Sequence, residues 1–89
     1  MTVPDTRALF DLTGRAAVVT GGNAGIGFAI AAGLAGAGAA VAIAGRRAEE
    51  NRKAVAELEA AGCKAVAIEA DVLKPEDCRM LVDRAAEAL

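Results

Sequence analysis

The sequence predicts an α/β fold in which three short parallel strands alternate with three helices. Apolar runs at residues 16–20, 41–44 and 65–70 are typical of strands buried on both faces. Helical apolar spacing follows each run, and parallel neighbours need a long crossover of this kind. The order β-α-β-α-β-α is therefore the first half of a doubly wound parallel sheet, with the first two helices on one face because crossovers are right-handed.

An N-terminal arm precedes the first strand. We expect the first dozen residues to be loosely held, with Leu9, Phe10 and Leu12 available to dock on the core. Gly14 and Arg15 then turn the chain into the strand at residues 16–20.

The first helix is predicted from apolar residues at helical spacing and from the glycine that follows them. Gly38 is placed to cap the helix in the left-handed conformation. The apolar positions that define the predicted stripe are Ile26, Ile30, Leu34 and Ala37.

The second and third helices have clearer start and stop signals. The second is predicted over residues 48–61, with Gly62 at the stop position and charged residues mainly on the face opposite its apolar stripe. Pro75 suits the first turn of the third, and Glu76 and Asp77 follow where the helix dipole favours negative charge. The predicted stripes are Ala54, Val55, Leu58 and Ala61 in the second helix, and Cys78, Leu81, Val82, Ala85, Ala86 and Leu89 in the third.

Composition excludes several function classes. The 89 residues carry a net charge of −2, which gives no electrostatic reason to expect nucleic acid or an anionic membrane as a partner. Residues 16–45 contain no charge, but glycines break them into pieces too short to span a bilayer. Cys63 and Cys78 match no metal-binding spacing and are expected to be buried thiols in a reducing cytoplasm. We therefore expect a cytoplasmic protein without a metal site.

A glycine-rich loop joins the first strand to the first helix. Backbone N–H groups and the positive end of a helix dipole attract phosphate there, and glycines let the backbone approach it closely. The P-loop pattern fails because Phe28 and Ala29 stand where Lys and Ser or Thr are required. The pattern that remains over residues 20–27 is T-G-x-x-x-G-x-G.

With the segment Phe10 to Arg15 ahead of it, this loop closely resembles that of the short-chain dehydrogenase/reductase family, ordinary branch. The resemblance implies an NAD(P)-binding Rossmann fold, of which residues 1–89 would be the N-terminal half. Among its members, the sequence resembles sugar or gluconate dehydrogenases and 3-oxoacyl-carrier-protein reductases. The family resemblance also implies a homotetrameric oxidoreductase that acts on a small carbonyl or alcohol substrate.

Carried over by position, the resemblance assigns a set of cofactor contacts. The turn beneath the pyrophosphate would be shaped by Gly21, Gly25 and Gly27. The adenosine ribose and phosphates would be lined by the loop residues Asn23, Ala24 and Ile26. Adenine would be contacted by Asp71 and Val72, which follow the third strand. For Asp71, a turn-forming role at the strand end is the alternative.

Cofactor preference is predicted from the end of the second strand. NAD-binding folds place an acid there to hold the ribose 2′-hydroxyl, whereas this chain has Gly45 followed by Arg46 and Arg47. A small residue leaves room for a 2′-phosphate, and a guanidinium can bind it in bidentate fashion. The pattern favours NADP(H), with NAD(H) possible and a solvated basic pair as the alternative.

Catalytic residues are not found. The resemblance implies a Ser with a Tyr-x-x-x-Lys pair, yet the chain contains no Ser, Tyr or His. By itself it is expected to be inactive, with the catalytic half missing. Two further hypotheses stay open: a stand-alone, non-catalytic dinucleotide-binding module, and an interaction domain that uses an exposed strand edge.

Overall fold

A computed structural model of the chain describes residues 9–89 and contains the predicted alternation of strands and helices. The observed bounds agree with the predicted ones to within about a residue where both were given. Residues 1–8 of the predicted arm lie outside the described residues. The elements are β1 (Ala16–Thr20), α1 (Gly25–Gly36), β2 (Ala40–Gly45), α2 (Ala48–Ala60), β3 (Ala65–Glu69) and α3 (Pro75–Ala88).

The three strands form one parallel sheet, as predicted, and their order in it is β1-β2-β3. The register aligns Ala16 with Ala40 and Val41 with Ala65, so the carboxyl ends of all three strands meet at one edge. Four consecutive residues of the central strand, 41–44, have no exposed surface. The continuous apolar run of β2 thus reflects burial on both faces of the sheet.

Helices cover both faces of the sheet, in the predicted arrangement. One core joins α1 and α2 to the face that carries Val41 and Ile43, and the first two helices therefore share a face. A second, smaller core joins α3 to the opposite face through Ala42, Ala44 and Leu81. The right-handed crossover rule accounts for this division.

The predicted face of α1 was wrong in its first two turns. Ile26 is 82% exposed and Ile30 is also exposed, whereas Ala31 and Ala35 pack in the core. Because α1 is apolar on all sides, spacing alone could not identify the face that meets the sheet. Small alanine side chains allow the helix to approach the sheet closely, and Leu34 contributes from the edge of the core.

Three other packing predictions need correction. Leu12 packs against the core as expected, but Leu9 and Phe10 are each 72% exposed and do not dock. In α3, Leu81 and Ala85 are buried while Val82 is exposed, so the packed stripe is narrower than predicted. Both cysteines are free thiols, but they are half-buried rather than buried.

Glycines end the first two helices as predicted. Gly38 and Gly62 have φ of +109° and +86°, the left-handed region that side chains other than glycine rarely adopt. Within residues 9–89, no helix is both long and apolar enough to cross a membrane. The same residues contain no group of three or more Cys, Asp or Glu side chains able to hold a metal ion.

Candidate functional site

A cleft of about 530 Å³ opens at the carboxyl ends of the strands. Ligands of doubly wound sheets bind at this edge, because the loops there join strand ends to helix N-termini. Six of the ten predicted contact residues line the cleft, namely Gly21, Asn23, Arg46, Arg47, Asp71 and Val72.

The glycine loop makes two turns that need glycine. Gly21 and Gly25 have φ of +68° and +59°, in the left-handed region. The Gly21 N–H donates to the Ala44 carbonyl oxygen at 2.9 Å, which ties the start of the loop to the end of β2. The loop therefore leaves the sheet edge in a fixed direction and turns directly into α1.

Close packing explains two other glycines of the loop. A Cβ at Gly27 would overlap the Gly21 carbonyl oxygen, since the first turn of α1 lies directly against the start of the loop. A Cβ at Gly22 would lie 3.0 Å from both the Val19 carbonyl oxygen and Ile43 Cδ1. The loop can lie this close to the sheet and helix only because these side chains are absent.

The N-terminus of α1 lacks any negative side chain. Ala24 occupies the N-cap position and makes no side-chain hydrogen bond, and the first turn contains no acidic residue. The first N–H groups of a helix have no intrahelical acceptor, and the helix dipole places partial positive charge there. This end of α1 can therefore bind an anion through backbone N–H donors alone.

A buried asparagine links the loop to the sheet. Asn51, in the first turn of α2, has no exposed surface. Its Nδ2 donates to the Gly45 carbonyl oxygen at 3.0 Å and to the Ile68 carbonyl oxygen at 3.3 Å. Its Oδ1 accepts from Asn23 Nδ2 at 2.9 Å. The amide thus connects β2, β3 and the glycine loop, and two of its three partners, Gly45 and Asn23, line the cleft.

Gly45 lies against the side-chain amides of Asn51 and Asn23, and this contact gives a different reason for its small size. A Cβ at Gly45 would lie 2.9 Å from Asn51 Oδ1 and 3.0 Å from Asn23 Nδ2. The sequence interpretation was that glycine leaves room for a phosphate. The structure instead shows that the space beside Gly45 is taken up by the two asparagine side chains.

Arg46 and Arg47 follow β2 and are both exposed. Within residues 9–89, neither guanidinium takes part in a salt bridge or a side-chain hydrogen bond. Arg47 is the N-cap residue of α2, and its carbonyl oxygen accepts from the Asn51 N–H at 3.0 Å. The cleft therefore has positive charge on the wall next to β2.

Asp71 lines the cleft just after the end of β3 and forms part of a turn. Its Oδ1 accepts from the Leu73 N–H at 3.0 Å, and its own N–H donates to Asp77 Oδ2 at 2.8 Å. The turn-forming alternative for Asp71 is thus present in the structure. Val72 follows and is exposed in the cleft, where it could contact a planar ring.

The four remaining predicted residues lie in the loop and helix start but do not line the cleft. Ala24 and Gly25 are exposed at the N-terminus of α1, and Gly27 is the half-buried contact with Gly21. Ile26 is directed to solvent.

A second cleft, of about 550 Å³, lies at the amino ends of the strands. Its lining includes the glycines that end α1 and α2, Gly38 and Gly62, and therefore the negative ends of those helix dipoles. Arg15 and Lys64 are its cations. No helix N-terminus is among its lining residues, so this cleft provides an anion with fewer backbone donors and less positive potential than the cleft at the carboxyl ends.

Sequence reasoning missed Gly22 and Asn51. Gly22 falls on a variable position of the recognised pattern, although a second adjacent glycine could have suggested close packing. Asn51 has the polar composition of an exposed helix position, but it falls on the apolar stripe three residues before Ala54 and four before Val55. A polar residue at such a position signals a buried hydrogen-bonding role.

The parallel sheet, the flanking helices and the glycine turn beneath an open helix N-terminus define a Rossmann-type nucleotide-binding fold. A family model for short chain dehydrogenases matches residues 15–89. The chain belongs to the short-chain dehydrogenase family.

Relatives and solved structures agree with this assignment. The peroxisomal 2,4-dienoyl-CoA reductase of Arabidopsis thaliana is 43% identical over 70 residues, which are 79% of this chain and 24% of that protein. The 2-dehydro-3-deoxy-D-gluconate 5-dehydrogenase of Formosa agariphila is 38% identical over 77 residues, covering 85% and 29%. A short-chain type dehydrogenase/reductase from Mycobacterium marinum superposes with a TM-score of 0.89 at 36% identity, covering 94% and 34%. The chain thus spans about a quarter to a third of these proteins.

Proposed function

We propose that this chain binds the adenosine and pyrophosphate part of NADP(H) in a short-chain oxidoreductase. The whole protein would transfer hydride between the nicotinamide and a small carbonyl or alcohol substrate. The observation that carries the proposal is the α1 N-terminus. Its backbone N–H donors are open and its first turn contains no acidic residue. The glycine loop can lie close to it because Gly27 has no side chain.

The residues present fit the proposed cofactor. The glycine loop would place backbone N–H groups against the pyrophosphate, since an added side chain at Gly22 or Gly27 would fill the close contacts on which its shape depends. Bound there, the cofactor would supply or accept the hydride. Asp71 and Val72 would contact the adenine where they line the cleft. This chain would thereby orient the dinucleotide.

The preference for NADP(H) is supported by charge. Arg46 and Arg47 lie on the cleft wall where β2 ends, and no carboxylate of the described residues pairs with either. A 2′-phosphate could accept bidentate hydrogen bonds from Arg46, whereas the 2′-hydroxyl of NAD(H) would gain much less.

The substrate class is proposed from the relatives. Those named above are a reductase of an unsaturated acyl-CoA and a dehydrogenase of a sugar acid. We propose a substrate of the sugar, sugar-acid or 3-oxoacyl class, bound by residues outside this chain. A cytoplasmic location and a homotetrameric assembly remain predictions.

A non-catalytic dinucleotide-binding module is the second candidate. It is favoured by the absence of Ser and Tyr, because the family's Ser and Tyr-x-x-x-Lys residues carry out its proton transfer. Such a module would bind both cofactors without turnover. Finding a Tyr-x-x-x-Lys motif in the coding sequence downstream of Leu89 would contradict it.

The test is the affinity of the purified protein for NADPH and NADH, measured by isothermal titration. Arg46→Ala removes one charge-assisted contact worth about 1.5–3 kcal/mol, so NADPH should bind about 10- to 100-fold more weakly. NADH should change little, and Arg47→Ala should have a smaller effect than Arg46→Ala.

Arg84→Ala is the matched control, because Arg84 is an exposed arginine in the second half of α3. It changes the net charge equally and should leave both affinities unaltered. Preference for NADH in the unmodified protein would overturn the NADP(H) proposal. An equal loss of both cofactors in Arg46→Ala would show that Arg46 does not distinguish the 2′-phosphate from the 2′-hydroxyl.

A further inference from the structure

We propose that Asn51 is a positioning residue of the nucleotide site, which fixes Asn23 of the glycine loop and restricts position 45 to glycine. The inference rests on the proposed nucleotide-binding function. It concerns how the cleft-lining residues Asn23 and Gly45 are held in place and goes beyond the preference for one cofactor.

The orientation of the Asn51 amide follows from its partners. The Gly45 and Ile68 carbonyl oxygens can only accept hydrogen bonds, so the Nδ2 of Asn51 must face them. Its Oδ1 is then turned to the loop and requires a donor, which Asn23 Nδ2 provides at 2.9 Å. Because Asn51 is wholly buried, loss of that donor would leave its Oδ1 without a partner. The Asn23 side chain is therefore held in one orientation.

The Gly45 carbonyl oxygen has a second donor, the Ala70 N–H at 3.0 Å. Together with the bond from Asn51 Nδ2, this uses both of its lone pairs. The end of β2 is thus held by β3 on one side and by α2 on the other. Arg46 follows directly, so the same bonds fix the point from which its side chain leaves the sheet.

A side chain at position 45 is incompatible with this arrangement. The added Cβ would come within 2.9 Å of Asn51 Oδ1 and 3.0 Å of Asn23 Nδ2, so it would separate the two amides. Gly45→Asp, the simplest change toward an NAD(H)-type acid, would first displace Asn23. The asparagine pair therefore selects against an acid at the end of β2, and Gly45→Asp alone should fail to convert the preference.

The experiment is a double-mutant cycle at positions 45 and 51, with 5′-AMP and adenosine 2′,5′-bisphosphate as probes in isothermal titration. Gly45→Ala should weaken both probes about three- to tenfold, the loss expected when one neutral hydrogen bond that orders the loop is removed. In the Asn51→Ala background the same change should cost less than about twofold, since the obstructing amide is gone. Gly36→Ala is the control, because its Cβ would have no neighbour within 4 Å.

The cycle separates this inference from the cofactor proposal. Equal affinity for the two probes in the unmodified protein would defeat the NADP(H) preference, while the coupling measured with 5′-AMP would still report on Asn51. Additive effects of Gly45→Ala and Asn51→Ala would overturn the inference. A purely stabilising role for Asn51 would lower the melting temperature without coupling to position 45 in probe affinity.

A spectroscopic measurement covers the case in which Asn51→Ala fails to fold. The side-chain amide protons of Asn23 should show a nuclear Overhauser contact with α2 and slow exchange in the unmodified protein. Gly45→Ala should abolish both signals while Gly36→Ala retains them. Retention of both in Gly45→Ala would show that the pair accommodates a side chain and would overturn the inference.

Discussion

The N-termini of α1 and α3 lie at the same edge of the sheet, on opposite faces, and differ in their use of negative charge. Neither has a side-chain cap. The first turn of α1 contains no acid, whereas that of α3 contains Glu76 and Asp77. Asp77 also accepts a hydrogen bond from the Asp71 N–H. The same backbone feature is thus open to an external anion in α1 and supplied with carboxylates by the chain itself in α3.

The N-terminus of α2 shows an intermediate arrangement. Its first-turn acids, Glu49 and Glu50, each pair with a cation one turn later, Arg52 and Lys53. These pairs lie on α2 itself, so the acids have cation partners other than Arg46 and Arg47. Positive potential near the cleft therefore comes from the α1 terminus, which follows the loop residues that line the cleft, and from Arg46 and Arg47, which line it themselves.

The largest expected effect comes from changing the contact that shapes the α1 terminus. Gly27→Ala places a Cβ on the Gly21 carbonyl oxygen, so the loop or the helix start must move. We expect a loss of about 1–3 kcal/mol in stability, typical of overpacking. Cofactor affinity should fall roughly ten- to a hundredfold as the backbone donors lose their positions. Chemical denaturation and NADPH titration measure the two quantities.

Gly33→Ala is the matched control for this change. Gly33 lies in the same helix and is exposed, with no atom within 4 Å of an added Cβ. Alanine in a helix interior should stabilise by about 0.5–1 kcal/mol relative to glycine. Unaltered NADPH affinity in Gly27→Ala would show that the close contact is not required for binding.

A smaller effect is expected from giving α1 the acid that α3 already has. Ala24 has extended backbone angles suited to a capping side chain, so Ala24→Asp should stabilise the protein by about 0.5–2 kcal/mol. The same carboxylate would repel the pyrophosphate, and we expect NADPH affinity to fall by about tenfold or more. Thermal unfolding and titration should thus move in opposite directions.

Ala24→Asn separates charge from bulk, because asparagine caps a helix about as well as aspartate. It should give a similar gain in stability with a much smaller loss of affinity. Equal losses of affinity for the two variants would show that the α1 terminus excludes side chains of any charge, and would contradict an electrostatic role.

The sequence predicted the fold well because its signals are local. Strand runs, helix stops at Gly38 and Gly62, and the glycine loop each follow from a few adjacent residues. The face of α1 could not be predicted, since Ile26 and Ile30 have the same spacing as the buried alanines and only the sheet decides between them. The hydrogen-bond partners of Asn51 could not be predicted for a related reason, although its place on the apolar stripe signals a buried role. Its partners come from residues 23, 45 and 68, far apart in the chain.

The smallest expected effect concerns the acids of α2. The hydrogen bond from Arg52, reinforced by its positive charge, lowers the pKa of Glu49 below its ordinary value. A carboxylate with a lowered pKa in the folded state stabilises the protein above its unfolded pKa, about 4.3, and loses that effect as pH falls through the folded pKa. Glu49→Gln should therefore melt slightly below the unmodified protein at pH 7, and this difference should disappear as pH falls through the folded pKa. Because the pair is exposed, the difference should also shrink at high salt.

Glu59→Gln, near the other end of α2, is the control and should not lower the melting temperature at pH 7, because a carboxylate there faces the negative end of the dipole. A difference for Glu49→Gln that grows toward acidic pH would contradict the assignment.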